Sequence, residues 1–424
     1  MPNPPQSAGR SSRLDSQTRL LLSVNGLFVT ANALSGTYLG VYIWKASNDF
    51  AKVGWFSLLN HAMMALTFWI AGNGVKEGNK MAFLRAGIFV SASFYAVVLL
   101  LGSAAQQVIY GLGMLQGAAA GLFWLSFNVV YFEMTDSDNR DRYNGLAGVV
   151  GSVVGIVVPW TSGYLISRSP GANGYRLVFA ISLGIFLGGF LLSFLLRHRK
   201  TDGDYDWLLP FRYVVRRDTP WPALFGALAA QGLRESVIGV LIGLLVYVET
   251  GSELRLGQFV LLSSAVGFVS FFVAGKWLKP AWRGKGMLVG AAALALSVLP
   301  LFFGVGFGTL LAYGVLSALF MPLFVVPMTS AVFDWIGSDE ESASRRVEFV
   351  VLRELALNAG RIVGMAMFIS TVAATRKPAI INVLLLFAGS FPLLSWYLTR
   401  GRLRVGTEDR RKRSASAPRL KSAK

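Results

Sequence analysis

Arg234 and Glu235 stand side by side in the stretch GALAAQGLRESVIGVLIGLL (residues 226–245), and no other charge falls between Trp221 and Val248. An apolar run of that length is enough for a helix to cross a bilayer. A charge at the bilayer centre costs at least roughly 2.5–3.5 kcal/mol, so such residues face a cavity or a partner. Consecutive helix residues point about 100° apart, so Arg234 and Glu235 do not face each other and each needs its own partner. A second stretch, LRELALNAGRIVG (residues 352–364), carries its own polar residues. On a helical wheel Glu354, Asn358 and Arg361 fall within about 60° of one another and form one stripe, with Glu354 and Arg361 about 10 Å apart along the axis. Arginines so placed suit an anionic or zwitterionic group. Glu235 and Glu354 are candidates to take up and release a proton, since burial and a nearby arginine act on a carboxylate in opposite senses.

Long apolar helices must carry these side chains. The chain has 424 residues, 54% of them hydrophobic and only 15% charged, against about 25% charged in soluble proteins. Twelve apolar blocks near the length of a membrane span are predicted: 20–46, 54–75, 82–102, 107–133, 144–167, 176–197, 221–248, 258–278, 287–304, 308–335, 349–373 and 379–399. None alternates apolar and polar residues, which excludes a membrane β-barrel. There is no cysteine, so no thiol chemistry and no cysteine-held metal is available, and His61 and His198 are the only histidines. No cofactor or metal site is expected.

The net charge of +18 is distributed by topology. With the N-terminus inside, only Lys45, Lys52, Arg168, Arg176, Arg255, Arg376 and Lys377 fall in outer segments, and most of the rest of the 40 lysines and arginines fall on the cytoplasmic side. That bias predicts a multi-pass cell-membrane protein with both termini cytoplasmic. It also argues against nucleic acid as the partner of the basic tail.

A shift of 203 residues brings the two halves into register: Gly36 falls on Gly239, Gly40 on Gly243, Gly54 on Gly257, Phe56 on Phe259, Lys76 on Lys279 and Gly87 on Gly290. Six spans plus a loop fill the shift, and an even number of spans keeps orientation, so the repeats are parallel. The expected organisation is a tail (1–19), a six-helix bundle (20–197), a basic loop (198–219), a second bundle (220–400) and a basic tail (401–424). Under the shift Glu235 corresponds to Asn32, and Asn25, Asn32 and Gly36 share one face of the first span.

Twelve spans in a parallel six-plus-six repeat with a long central loop resemble the major facilitator superfamily of transporters. The loop GNGVKEGNK (72–80) keeps Gly72 and Lys80 of that family's second-to-third-span motif, with Lys76 and Glu77 in reversed order and Gly78 one place early. In GMLQGAAAG (113–121) Gln116 and Gly117 match, and Gly113 stands where the family carries an arginine. GLAGVVGSVVGIVVPWTSG (145–163) matches an exporter-type motif at Gly145, Pro159 and Gly163. The resemblance implies an all-α membrane fold whose bundles rock about a midplane site, with spans seven and eleven both bordering the cavity. Glu235 with Arg361 is then the expected pairing, with Arg234 and Glu354 beside it and Asn32 facing it from the other bundle.

Further candidates are Asn60, His61, Gln116, Phe123, Trp124 and Phe127. The segments EMTDSDNRDR and FDWIGSDEES supply Glu133, Asp136, Asp334 and Asp339. These are expected to pair with Lys76, Lys80, Lys279 and Arg283 as a cytoplasmic latch. The implied function is secondary transport of a small anionic or zwitterionic solute by a monomer, with protons as the coupling ion. A non-transporting scaffold on the same fold, or a lipid flippase, is the alternative. No ATP-binding loop is present, and no compact acid–base constellation points to an enzyme.

Overall fold

The computed structural model describes residues 14–135, 139–169, 171–197, 203–278, 280–336, 344–375 and 378–401. Its long helices are α1 (Ser16–Ser47), α2 (Phe50–Glu77), α3 (Lys80–Leu101), α4 (Ile109–Met134), α5 (Arg140–Arg168) and α6 (Asn173–Ser193). A short helix, α7 (Leu209–Val215), follows. Then come α8 (Trp221–Thr250), α9 (Glu253–Trp277), α10 (Arg283–Leu296), α11 (Phe307–Ile336), α12 (Arg346–Ala374) and α13 (Pro378–Thr399). Among the described residues eleven helical stretches are long and apolar enough to cross a membrane. One of them, 80–134, is two spans, because a 3-10 segment beginning at Gly102 (φ +52°) turns the chain between α3 and α4. Twelve spans result, in an all-α membrane protein of two parallel six-helix bundles.

Local chemistry sets the turns, and it repeats. Asn48, in the left-handed conformation, ends α1, and Gly251 ends α8 in the same way. The next residue in each half caps the following helix: Asp49 accepts from Ala51 N, and Ser252 Oγ accepts from Arg255 N. Asn48 and Gly251 are 203 residues apart, so the repeat is kept in conformation where the residue type has changed.

Packing follows the same symmetry. Within the first bundle α1 meets α5 and α6, α2 meets α4, and α3 meets α4 and α6; the second bundle pairs α8 with α12 and α13, α9 with α11, and α10 with α11 and α13. Between bundles α2 packs on α12 and α5 on α9. Without a hydrophobic drive between helices in lipid, close approach at small residues holds such contacts. A Cβ on Gly113 would sit 2.6 Å from Phe56 O, and one on Gly117 would meet Asn60 O. Gly113 therefore has no room for the arginine that the resembling family carries there.

Gly232 faces Leu357 O and Gly360 faces Ala229 O, so α8 and α12 lie backbone against backbone. Gly360→Ala is expected to cost about 1–3 kcal/mol, since neither backbone can yield without shifting the other. Thermal unfolding in detergent measures this; an unchanged midpoint would mean that the helices separate freely.

Candidate functional site

A cavity of about 640 Å³ lies between the bundles. It is lined by the second half of α1, the first half of α2, the middle and second half of α8, the first half of α9 and the first half of α11, with Gln116 of α4. It therefore sits in the half of the molecule away from α7. Its two sides mirror the repeat: Gly36 with Gly239, Gly40 with Gly243, and Phe56 with Phe259 are all lining residues. Neither Gly36 nor Gly239 has anything within 4 Å of where a Cβ would be, so bare backbone faces the space.

Charge breaks the mirror. Arg234 lines the cavity and is only 4% exposed. Its Nη2 donates to Ser317 Oγ (2.9 Å) and its Nη1 to Met321 Sδ (3.5 Å), while Nε has no partner. Among the described residues no carboxylate pairs with it. On the other side of the cavity Asn60 Nδ2 donates to Gln116 Oε1 (3.2 Å). A buried cation satisfied by a hydroxyl and a thioether is under-compensated, and an anion entering the cavity would complete it.

Glu235 points elsewhere. Its Oε2 accepts from Arg361 Nη2 (2.9 Å) and its Oε1 from Gln231 Nε2 (2.7 Å). Arg361 Nη1 donates to Asn358 Oδ1 (3.3 Å), Asn358 Nδ2 donates to Glu354 O (2.9 Å), and Arg353 pairs with Glu354. His61 of α2 lies beside Arg361 and Asn358, so this network reaches the first bundle. The expected Glu235–Arg361 contact exists, but neither residue lines the large cavity, which corrects the expectation that both face it. The cause is the glycine contact between α8 and α12: it turns residue 235 onto α12 and leaves the cavity to residue 234.

Other sequence candidates separate. Asn32 Nδ2 donates to Phe28 O of its own helix (2.9 Å) and makes no hydrogen bond to Glu235. Asn25 Oδ1 is buried without a partner. Trp124 belongs to an aromatic cluster with Phe28, Phe123 and Phe127, in which Phe28 and Phe123 stack at 3.4 Å. Helix packing, rather than the cavity, claims that face. Of the remaining candidates Asn60 and Gln116 reach the cavity. The hydroxyls of Ser263, Ser317 and Tyr313 were missed. A slightly different shift, 201 residues, aligns Gly113 with Gly314 and Gln116 with Ser317 and would have found the last helix of the lining.

The predicted latch is rearranged. Lys80 pairs with Glu133 between α3 and α4, and Arg283 with Asp334 between α10 and α11. These are equivalent pairs in the two repeats, and each lies within one bundle, because the turns joining α2 to α3 and α9 to α10 sit over their own bundles. Lys76 does cross between bundles, but to Glu348 of α12, with Lys76 6% and Glu348 0% exposed. Lys279, Asp136 and Asp339 lie outside the described residues. The linker reinforces the closure: Tyr205 N donates to Glu77, and the Asp206 carboxylate accepts from Arg212 and Arg345. Burial and the nearby Glu348 and Asp206 carboxylates push the Tyr205 hydroxyl's pKa well above its ordinary value. Phe132 and Phe333 meet across the bundles at this end, 5.9 Å between centroids. At the opposite end Glu253 of α9 accepts from Lys45 (2.9 Å) and Tyr175 (2.8 Å), a cross-bundle cluster the sequence did not announce. Among the described residues no group of three or more His, Cys, Asp or Glu is placed to hold a metal ion.

Residues 21–303 match the family model described as Major Facilitator Superfamily. The chain is 36% identical over 380 residues to the Bacillus subtilis (strain 168) protein described as "Uncharacterized protein YqgE", covering 89% of this chain and 88% of that one. It is 40% identical over 160 residues to the "Uncharacterized protein in sodM 3'region" of Geobacillus stearothermophilus, covering 38% and 75% respectively. In fold it is similar to a bacterial homologue of the iron transporter ferroportin in an outward-facing state (TM-score 0.67, 13% identity). The nucleoside transporter NupG is also similar (TM-score 0.67, 11% identity). Both likenesses cover 93% of this chain and 100% of the other. The chain belongs to the Major Facilitator Superfamily, and its general role is that of a secondary transporter.

Proposed function

We propose that this transporter moves a small solute bearing a negative charge by alternating access, with Arg234 as its anchor and Glu235 as the proton-coupling group. The observation that carries the reading is a buried guanidinium in the cavity wall with an unpartnered Nε. A non-transporting scaffold would keep its charges sealed in pairs and would have no use for a space of about 640 Å³. The adjacent Glu235–Arg361 pair is 27% and 18% exposed at its side chains, which leaves water, and with it protons, a route to it. Ion pairs at both ends of the bundles supply the two gates that rocking requires.

Untargeted flux measurements in proteoliposomes, with and without an imposed proton gradient, test the reading. Gradient-driven accumulation of one or more anionic or zwitterionic solutes is expected, and its loss in Arg234→Gln. Uptake confined to cations or neutral solutes would overturn it.

Both termini are placed in the cytoplasm by the same reading, which puts Gly171 outside. The chain contains no cysteine, so Gly171→Cys adds a single probe. Its labelling by an impermeant maleimide from the external face is expected; labelling only from the cytoplasmic face would reverse the orientation.

A further inference from the structure

The cavity lining narrows the solute further, resting on the transport reading above. Among the described residues Arg234 is the one charged side chain in the lining, and no carboxylate accompanies it. Its free Nε–H lies on the same edge of the guanidinium as Nη2, the edge that takes a carboxylate with two parallel hydrogen bonds. Ser263 Oγ and Tyr313 Oη line the same cavity from α9 and α11, and neither has a partner. Buried donors left unpaired are costly, so this wall is built to receive acceptor atoms.

The rest of the space offers little to a second charged group. Glu235 is the neighbour of Arg234 in sequence, but Arg361 and Gln231 occupy its oxygens. A solute ammonium would thus be stranded. A second anionic group would meet the amides of Asn60 and Gln116, which bond to each other. The remaining lining holds Thr37, Ser57 and Ser264, whose hydroxyls carry no charge, and is apolar at Val53, Phe56, Leu256 and Phe259, with bare backbone at Gly36 and Gly239.

We infer that the cavity takes a monoanion with an apolar body and no cationic group, its anionic end on Arg234 and its body against Phe56 and Phe259. The test is equilibrium dialysis of the purified full chain in nanodiscs, using probes that share one aryl body. These are 4-phenylbutanoate, 4-phenylbutanamide, 4-phenylbutylamine, phenylalanine and phenylsuccinate. Saturable binding of 4-phenylbutanoate is expected, with every other probe about tenfold weaker or worse, and a loss of about tenfold or more in Arg234→Gln. Ser317→Ala, which removes one hydroxyl and no charge, is expected to weaken 4-phenylbutanoate by a smaller factor, and it serves if Arg234→Gln does not fold. Equal binding of phenylalanine, the amine or phenylsuccinate would overturn the inference. So would unchanged binding in both variants, or no saturation above empty nanodiscs. Flux of labelled probes in proteoliposomes separates the two readings. Arg234-dependent binding without flux keeps the monoanion site and overturns transport of that class. Flux of phenylalanine or phenylsuccinate without 4-phenylbutanoate keeps the transporter and overturns the site.

Discussion

Glu235→Gln is expected to fold and reach the membrane, yet to lose gradient-driven accumulation by tenfold or more, the scale of a coupling free energy of about 1–3 kcal/mol. Substrate exchange without a gradient is expected to survive. The variant keeps an amide oxygen for Arg361 and leaves Asn358 and Gln231 in place, so the network loses a titratable carboxylate rather than its geometry. A static pair makes the opposite forecast. Removing one member of a fully buried pair costs about 3–5 kcal/mol, so both Glu235→Gln and Arg361→Gln would misfold and the double variant would recover. Partial exposure of both side chains, 27% and 18%, reduces that penalty and favours the first outcome. Flux and detergent melting of the two single variants and the double variant decide between them. Full coupled transport by a well-folded double variant would leave these charges only a structural role.

Lys76→Met is expected to release the linker end of the molecule. Its partner Glu348 has no exposure at all and also accepts from Asp206 N (3.3 Å). Without Lys76 the carboxylate is buried uncompensated, a penalty of about 3–5 kcal/mol that the protein avoids by separating α2 from α12. Cysteines at Phe132 and Phe333, whose rings are 5.9 Å apart across the bundles, report that closure. Cysteines at Trp44 and Tyr247, also 5.9 Å apart, report the opposite end. Cross-linking of the first pair should fall by more than tenfold in Lys76→Met, with the second pair retained, and Glu348→Gln added to Lys76→Met should restore much of it. Undiminished cross-linking of the first pair would make Lys76 an ordinary basic loop residue.

Much of the architecture was legible before any coordinates. Span lengths, the parallel repeat and the polar stripe of α12 all follow from periodicity within a single helix or from comparing one half of the chain with the other. The repeat even extends to features that residue identity hides, such as the helix caps at Asn48 and Gly251. The cavity's hydroxyl wall was not legible. Serines at 263 and 317 and the tyrosine at 313 are unremarkable in an apolar helix until another helix is known to face them, and the register of the two on α11, Tyr313 and Ser317, differs by two residues from the shift that aligns the rest.

Sequence alone determined that Arg234 and Glu235 must look about 100° apart, because that angle is a property of the helix. Which of them meets the cavity and which meets Arg361 was decided by tertiary structure. The rotation of α8 about its axis is set where Gly232 and Gly360 let two backbones touch, and no local pattern encodes a rotation relative to a neighbour. The same distinction separates the gates. Basic residues at the ends of α2 and α9 are visible in the sequence, whereas the partner of Lys76 lies 272 residues away and was chosen by the packing of α2 on α12. Helix-level geometry is local and can be read along the chain, but pairing between helices is a choice among many surfaces, settled only when the bundles close.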